Sequence, residues 1–300
     1  MIPVPDGEGT MAALLVTLSY SGRDAENNEI DLYDIGQALI GFQRSLALTT
    51  HLVLNDEIIT QAPSLSGAQI FALPATDGSW KLTAQVTLIA AALYHLGTAP
   101  KDTVIGNLIS SAYDSVISET LGFHIDYNKT LGQQFEEQKK AGQQIIQLPQ
   151  SRFDSLTEKC EVAIRDMHRP IVKSQTASEA KIIATIGSTV REVGKPLNYE
   201  TYEYVAYTDR GNDAFQFVGR VSSYNSNTFK GRVYVANEGR PVPFELSDMA
   251  RGIDSVAKIT ASLAAYAQRK PRDEGNIVFN ALRNNSRSGR LKNLYIIDIL

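Results

Sequence analysis

Cysteine is almost missing from these 300 residues: Cys160 stands alone, so no intrachain disulfide can form, and a reducing cytosol is the simplest compartment. Long hydrophobic runs are missing too. The most apolar stretch, Val86 to Leu96, is about half of the ~20 residues that a membrane-spanning helix needs. It reads as a buried helix, with an interfacial helical hairpin as the alternative, and no membrane span is expected. The amino terminus, MIPVPDGEGT, has no basic segment, which argues against a secretory signal. The four histidines, His51, His95, His124 and His168, share no metal-ligand spacing such as H-E-x-x-H, and each reads as a surface or helix-end residue.

Catalytic motifs are equally scarce. Gly187 to Lys195 mimics a phosphate loop, but six residues separate its glycines where four are needed, and Pro196 takes the Ser/Thr position. Glu137-Gln138-Lys139 has the E-x-K pattern of some nucleases without a preceding acid. No G-x-S-x-G elbow occurs. Cys160 lies on the apolar stripe Phe153, Leu156, Cys160, Ile164 and Met167, a buried structural thiol rather than a nucleophile. The expectation is a non-enzymatic protein without a cofactor or metal.

What is present suits two α+β domains, placed at 1–180 and 181–300. Hydrophobic residues make up 43%, enough for each half to bury its own core. Charge is unevenly spread. Residues 1–100 carry 3 Lys+Arg against 10 Asp+Glu, whereas residues 201–300 carry 14 against 10. An acidic front and a basic back suggest that the back meets a polyanion.

In the first half, Ala13–Tyr20 reads as a strand, and a helix begins at Asp31, its N-cap, with Asp34 three residues on. Gly36 and Gly41 inside that helix imply close packing on a neighbour. Gln69–Leu73 and Ser79–Val86 flank a Pro74–Gly78 turn as a hairpin. Helices are expected over Lys101–Leu121, in the polar stretch Gly132–Gln150, and over Ser151–His168 with Ser151 as cap.

The last hundred residues read as strands Ala214–Tyr224, Thr228–Ala236 and Pro241–Leu246, a helical segment Asp248–Arg269, then strands Asn276–Leu282 and Leu291–Ile299. A helix between the third and fourth of five strands is the OB-fold order. Alternation puts Phe215, Phe217, Gly219, Val221, Phe229, Gly231, Val233 and Val235 inside, and Arg220, Tyr224, Lys230, Arg232 and Tyr234 outside. Basic and aromatic side chains on one face suit single-stranded nucleic acid, which needs phosphate charge and base stacking. The flanking loops add Asn225 and Asn227, then Arg283, Arg287 and Arg290 with Lys292 close behind. Two plainer readings stand beside it: outward Lys and Arg also discourage edge pairing, and Arg240 and Arg251 have carboxylate partners within reach in Glu245, Asp248 or Asp254.

The run Val218–Val233 (VGRVSSYNSNTFKGRV), Gly239–Leu246 (GRPVPFEL) and Ser286–Lys292 (SRSGRLK) resembles a bacterial family of uncharacterised two-domain proteins. Its members pair an α+β amino-terminal region with a small β-barrel. The resemblance implies a bacterial cytosolic protein from a mobile-element or phage-defence setting, and it brings no catalytic residues. The sequence thus leads to a barrel that binds nucleic acid. The alternatives are a scaffold that binds a protein partner or self-associates through the amino-terminal domain, and a sensor of a nucleotide or small ligand.

Overall fold

Strand β1 (Thr10–Ser21) alternates buried Leu14, Val16, Leu18 and Tyr20 with half-buried Leu15, Thr17 and Ser19. That is the pattern of an antiparallel strand with one face under a helical layer. In the computed structural model, which describes residues 10–74, 80–89, 102–140, 148–271, 274–286 and 289–300, β1 is the centre of a five-stranded antiparallel sheet. Its order is β2 (Ala68–Leu73), β3 (Lys81–Ile89), β1, β4 (Glu179–Ile186) and β5 (Thr189–Leu197). Helices α1 (Leu32–Asn55), α2 (Asp102–Thr120) and α4 (Gln150–Asp166) pack on one another, and α2 also packs on β1 and β5. The shorter α3 (Leu131–Lys140), α5 (Arg169–Val172) and α6 (Tyr199–Ala206) complete the series before the second sheet.

The start of α1 follows its sequence. The Asp31 carboxylate accepts from the Asp34 backbone N–H at 2.9 Å, the N-cap bond expected there. Asp34 is itself buried and accepts from Arg169 Nε and the Ser174 N–H. The neighbour required by Gly41 is α4: a Cβ at Gly41 would lie 2.2 Å from the Ala163 carbonyl oxygen. Gly36 faces open space.

Three expectations need correction. Val86–Ile89 belongs to β3 and not to a helix; a short apolar run fits either element, and here it is buried between β1 and β2. Residues 90–96 of that run, like the turn at 75–79, lie outside the described residues. Ser151 sits inside α4, whose N-cap is Pro149. The rejected phosphate-loop look-alike from Gly187 to Lys195 covers the β4–β5 turn, with Gly187 at φ 57°, and most of β5. Finally, the chain divides at Tyr202/Glu203 and not at 180/181. The placement at 180 cuts β4, which pairs with β1 from the far end of the first unit. No described helix is long and apolar enough to cross a membrane.

His168 fastens the end of the first unit. It is fully buried, its Nδ1 donates to the Ile164 carbonyl, and its Nε2 accepts from Thr201 Oγ1 at 3.0 Å. Burial pushes its pKa down to about 4. The unfolded chain therefore takes up a proton at His168 that the folded chain refuses, and stability falls as pH drops from about 6.5 towards 4. The expected loss from this group is about 2 kcal/mol at pH 5. Urea unfolding at pH 7.5 and pH 5 should show that loss, and His168→Gln should remove it. An unchanged pH slope in the variant would refute this assignment.

The second unit contains β6 (Asp209–Asn225), β7 (Lys230–Val235), β8 (Arg240–Leu246), α7 (Ile253–Ala267), β9 (Ile277–Asn285) and β10 (Leu291–Ile299). Its five strands close in the order β10-β8-β7-β6-β9. Only β8 and β10 run parallel; the other pairs are antiparallel. The interior holds Val221, Val233, Val235, Phe244, Ile259 and Leu294, with Phe217 stacked on Phe279 at 5.7 Å. The whole chain is α+β, with seven α-helices and two sheets among the described residues.

Candidate nucleic-acid interface

Alternation along β6 is the basis of the predicted outer face, and β6 interrupts it. Val221 pairs with Val233 and Ser223 with Arg232, so Ser222 is an extra residue, a bulge. A one-residue insertion reverses the faces beyond it. Tyr224, expected outside, instead turns onto the core and stacks on Phe244 at 6.3 Å. Burial raises its pKa, and the nearby Arg251 charge partly opposes the shift.

Arg220 precedes the bulge, opposite Tyr234, yet it is 8% exposed. Its Nη1 donates to the Lys270 and Pro271 carbonyls at 3.0 Å each, and its Nη2 to the Ala265 carbonyl at 2.6 Å. These acceptors lie in the last turn of α7 and just beyond it. Helix ends leave carbonyls unpaired and carry partial negative charge, so a guanidinium there is a C-terminal cap supplied by a strand. Arg232, across from Pro243, is also buried. Three of the five predicted face residues, Arg220, Tyr224 and Arg232, are thus structural. Half-buried Lys230 and Tyr234 remain on the sheet, opposite Glu245 and Pro241.

The loops keep more of the predicted set accessible. Asn225 Oδ1 accepts from the Asn227 N–H at 3.0 Å and shapes the β6–β7 turn, leaving Asn227 exposed. Arg290 is exposed at the β9–β10 loop, its guanidinium 5.1 Å from the Tyr204 ring centroid. Arg283 pairs with Glu238 at 3.1 Å. Lys292 donates to the Val205 and Tyr207 carbonyls and to Thr208 Oγ1, the last at 2.7 Å. Arg287 lies outside the described residues.

Two further Arg–aromatic pairs escaped the sequence. Arg251 lies 4.8 Å from the Phe229 ring, beside the β6–β7 turn, and Arg210 lies 4.4 Å from Tyr295. Each joins elements far apart in sequence, so no local pattern announces them. Arg251 does pair with Asp248 at 2.7 Å, as the plainer reading expects. Arg240 instead donates to the Leu291 carbonyl at 2.6 Å. Much of the positive charge of this unit is therefore engaged internally.

The profile of a family described as "Domain of unknown function (DUF7946)" matches residues 16–204, more than half of the chain. The chain belongs to that family. A second profile, "Family of unknown function (DUF7947)", matches residues 213–300. The DUF7946 match spans the helix-backed sheet and the DUF7947 match spans the barrel, which agrees with the division at 202/203. No curated protein and no solved structure matches the chain.

Proposed function

We propose that residues 209–299 form an OB-type barrel that binds single-stranded nucleic acid along its loop rim rather than across the β6–β7 face. The observation that carries this reading is the strand order. Counted from β6, the first strand pairs with the second and fourth, and the fifth closes on the third in parallel. A helix lies between the third and fourth strands. In OB barrels the loops after the first and fourth strands flank the ligand. Here those loops bring exposed Asn227 and Arg290, with Arg251 over Phe229 beside the first. Arginine and asparagine there contact phosphate and sugar without reading sequence, and Lys230 and Tyr234 extend the path onto the sheet.

The test is fluorescence anisotropy with labelled oligo-dT and oligo-U at about 50 mM salt. Binding should be measurable and should weaken about tenfold or more in Arg287→Ala with Arg290→Ala. Undetectable binding, or binding indifferent to that pair of substitutions, would sink the reading.

A second reading, assembly or a protein partner, is favoured by apolar side chains left in water. Met249 and Ile253 are 86% and 88% exposed, and small Ala257, Ala261 and Ala264 continue the same face of α7. On α1, Leu32, Tyr33 and Ile40 are exposed as well. Light scattering on the anisotropy samples separates the two, because a strict monomer that binds the oligonucleotide leaves no place for self-assembly as the primary role.

A further inference from the structure

Strand β5 is tied to helix α2 by polar bonds as well as by the Ile117 side chain packed against Gly194. Its ladder with β4 is irregular, since Ile182 pairs with Val193 but Ala180 with Leu197. At Gly194 the backbone N–H leaves the ladder and donates to Asp114 Oδ1 at 2.6 Å. Three residues earlier, Arg191 reaches the same helix: its Nε donates to Ser110 Oγ at 2.9 Å and its Nη2 to Ser111 Oγ at 3.0 Å. Together with the Tyr127–Lys140 region they enclose a cleft of about 310 Å³. Its walls include Ser111, Asp114, Lys129, Gln133, Glu137 and Arg191. A volume of that size lies in the range of small-ligand sites.

The hydrogen bonds around Ser111 give the cleft a direction. Ser111 is 7% exposed, and its Oγ accepts both from Arg191 Nη2 and from Gln134 Nε2 at 2.9 Å. A hydroxyl has two acceptor positions and one proton to give. With both acceptor positions filled, only the O–H donor is left, and it has no acceptor among the described residues. Arg191 Nη1 likewise has none. Burial lowers the pKa of Arg191 and the Asp114 charge raises it again; an arginine in either setting stays protonated. One end of the cleft therefore presents unused donors on a charged guanidinium, with the Asp114 carboxylate nearby and one of its oxygens taken up by the Gly194 N–H; donors of that kind hold an oxyanion. The remaining polar wall carries amides, carboxylates, a hydroxyl and an ammonium, from Gln133, Gln134, Asp114, Glu137, Thr130 and Lys129, which suits hydroxyl groups. Ile125 is its single apolar member, and no aromatic ring lines it, so a purine or pyrimidine would find no stacking surface.

We propose that this cleft binds a small polyhydroxylated anion, a sugar acid or a sugar phosphate, with its anionic group on Arg191 and Ser111 and its hydroxyls on the Gln133–Glu137 side. The site lies wholly within the first unit and is independent of nucleic-acid binding by the barrel. Lys129 is 83% exposed and, like Gln133, has only local partners, in Asp126 and Glu137. Both can be removed without loosening β5.

The experiment uses the full chain, with glucuronate, ribose 5-phosphate and inorganic phosphate as probes in thermal melting and titration calorimetry. At a concentration about 100-fold above Kd, one of the two hydroxylated anions should raise the melting temperature by about 5 °C. Which of them does so identifies the anionic group. Lys129→Ala with Gln133→Ala should melt like the parent without ligand and bind about tenfold more weakly. Ser111→Ala should lose the shift even where its own melting temperature has moved. Equal stabilisation by inorganic phosphate alone would overturn the assignment to a hydroxylated ligand. No shift with any probe would overturn the site.

Discussion

Arg220→Ala should lower the stability of the barrel by about 3 kcal/mol, whatever it does to ligand binding. The guanidinium is buried and donates to the carbonyls of Ala265, Lys270 and Pro271, with the Tyr266 ring 5.5 Å away. Truncation removes three charge-assisted bonds at a helix end: the Lys270 carbonyl loses its donor, and the Ala265 and Pro271 carbonyls keep only the backbone N–H groups of Lys270 and Glu274; a buried group left unpaired costs about 1–3 kcal/mol before relaxation. Asn227→Ala, at an exposed turn position, should change stability by about 0.5 kcal/mol or less. Trp80 is the only tryptophan and sits in the first unit, so its fluorescence does not report on the barrel. Native-state hydrogen exchange of the β6–β9 amides is the suitable measurement. Protection there should fall by roughly two orders of magnitude, since about 1.4 kcal/mol is a factor of ten. Full protection combined with lost oligonucleotide binding would restore Arg220 to the ligand face and defeat the capping role.

The second large effect lies in the other unit and has two signs on one helix. Gly41→Ala should destabilise by about 3 kcal/mol. The new Cβ would meet the Ala163 oxygen at 2.2 Å and its carbonyl carbon at 3.1 Å; both are backbone atoms, so α1 and α4 must move apart. Gly36→Ala, five residues earlier, meets nothing within 4 Å. It should stabilise by about 1 kcal/mol, from helix propensity alone. Here Trp80 is the right probe, because its ring lies 5.9 Å from that of Tyr20 in the core of the same unit. Urea midpoints moving in the same direction for both variants would show that the α1–α4 crossing is not the constraint.

Legibility in the sequence followed the range of the interaction that decides each feature. The Asp31 cap and the strand and helix order of the second unit were readable because a cap, a turn and a period of two are set within a few residues. The burial of Cys160 was readable for the same reason: it belongs to a helical stripe, and burial pushes its thiol pKa up to about 12. The domain boundary was not readable. β4 is an inner strand whose partner β1 lies at the opposite end of the unit, and its inward positions include Ala180 and Ala184, too small to mark a core face. The candidate interface failed in a different way. Parity put Arg220 and Tyr234 on one face, and the structure pairs them, but parity carries no information on what else packs over that face, and the end of α7 does. The cleft beside Arg191 was invisible because it depends on a strand irregularity and two helices meeting.

The extra residue in β6 has a consequence for how the chain tolerates change. It fixes the number of residues between Val221 and the turn that begins after Asn225, and so decides which way that turn is aimed. Replacing Ser222 by another small residue leaves the count intact. Deleting it would exchange the surroundings of Ser223 and Tyr224, taking the tyrosine off Phe244 and rotating the turn to the other side of the strand. Members of the family should therefore vary in composition between Val221 and Asn225 while keeping its length, and length changes should gather beyond it, in the turn itself.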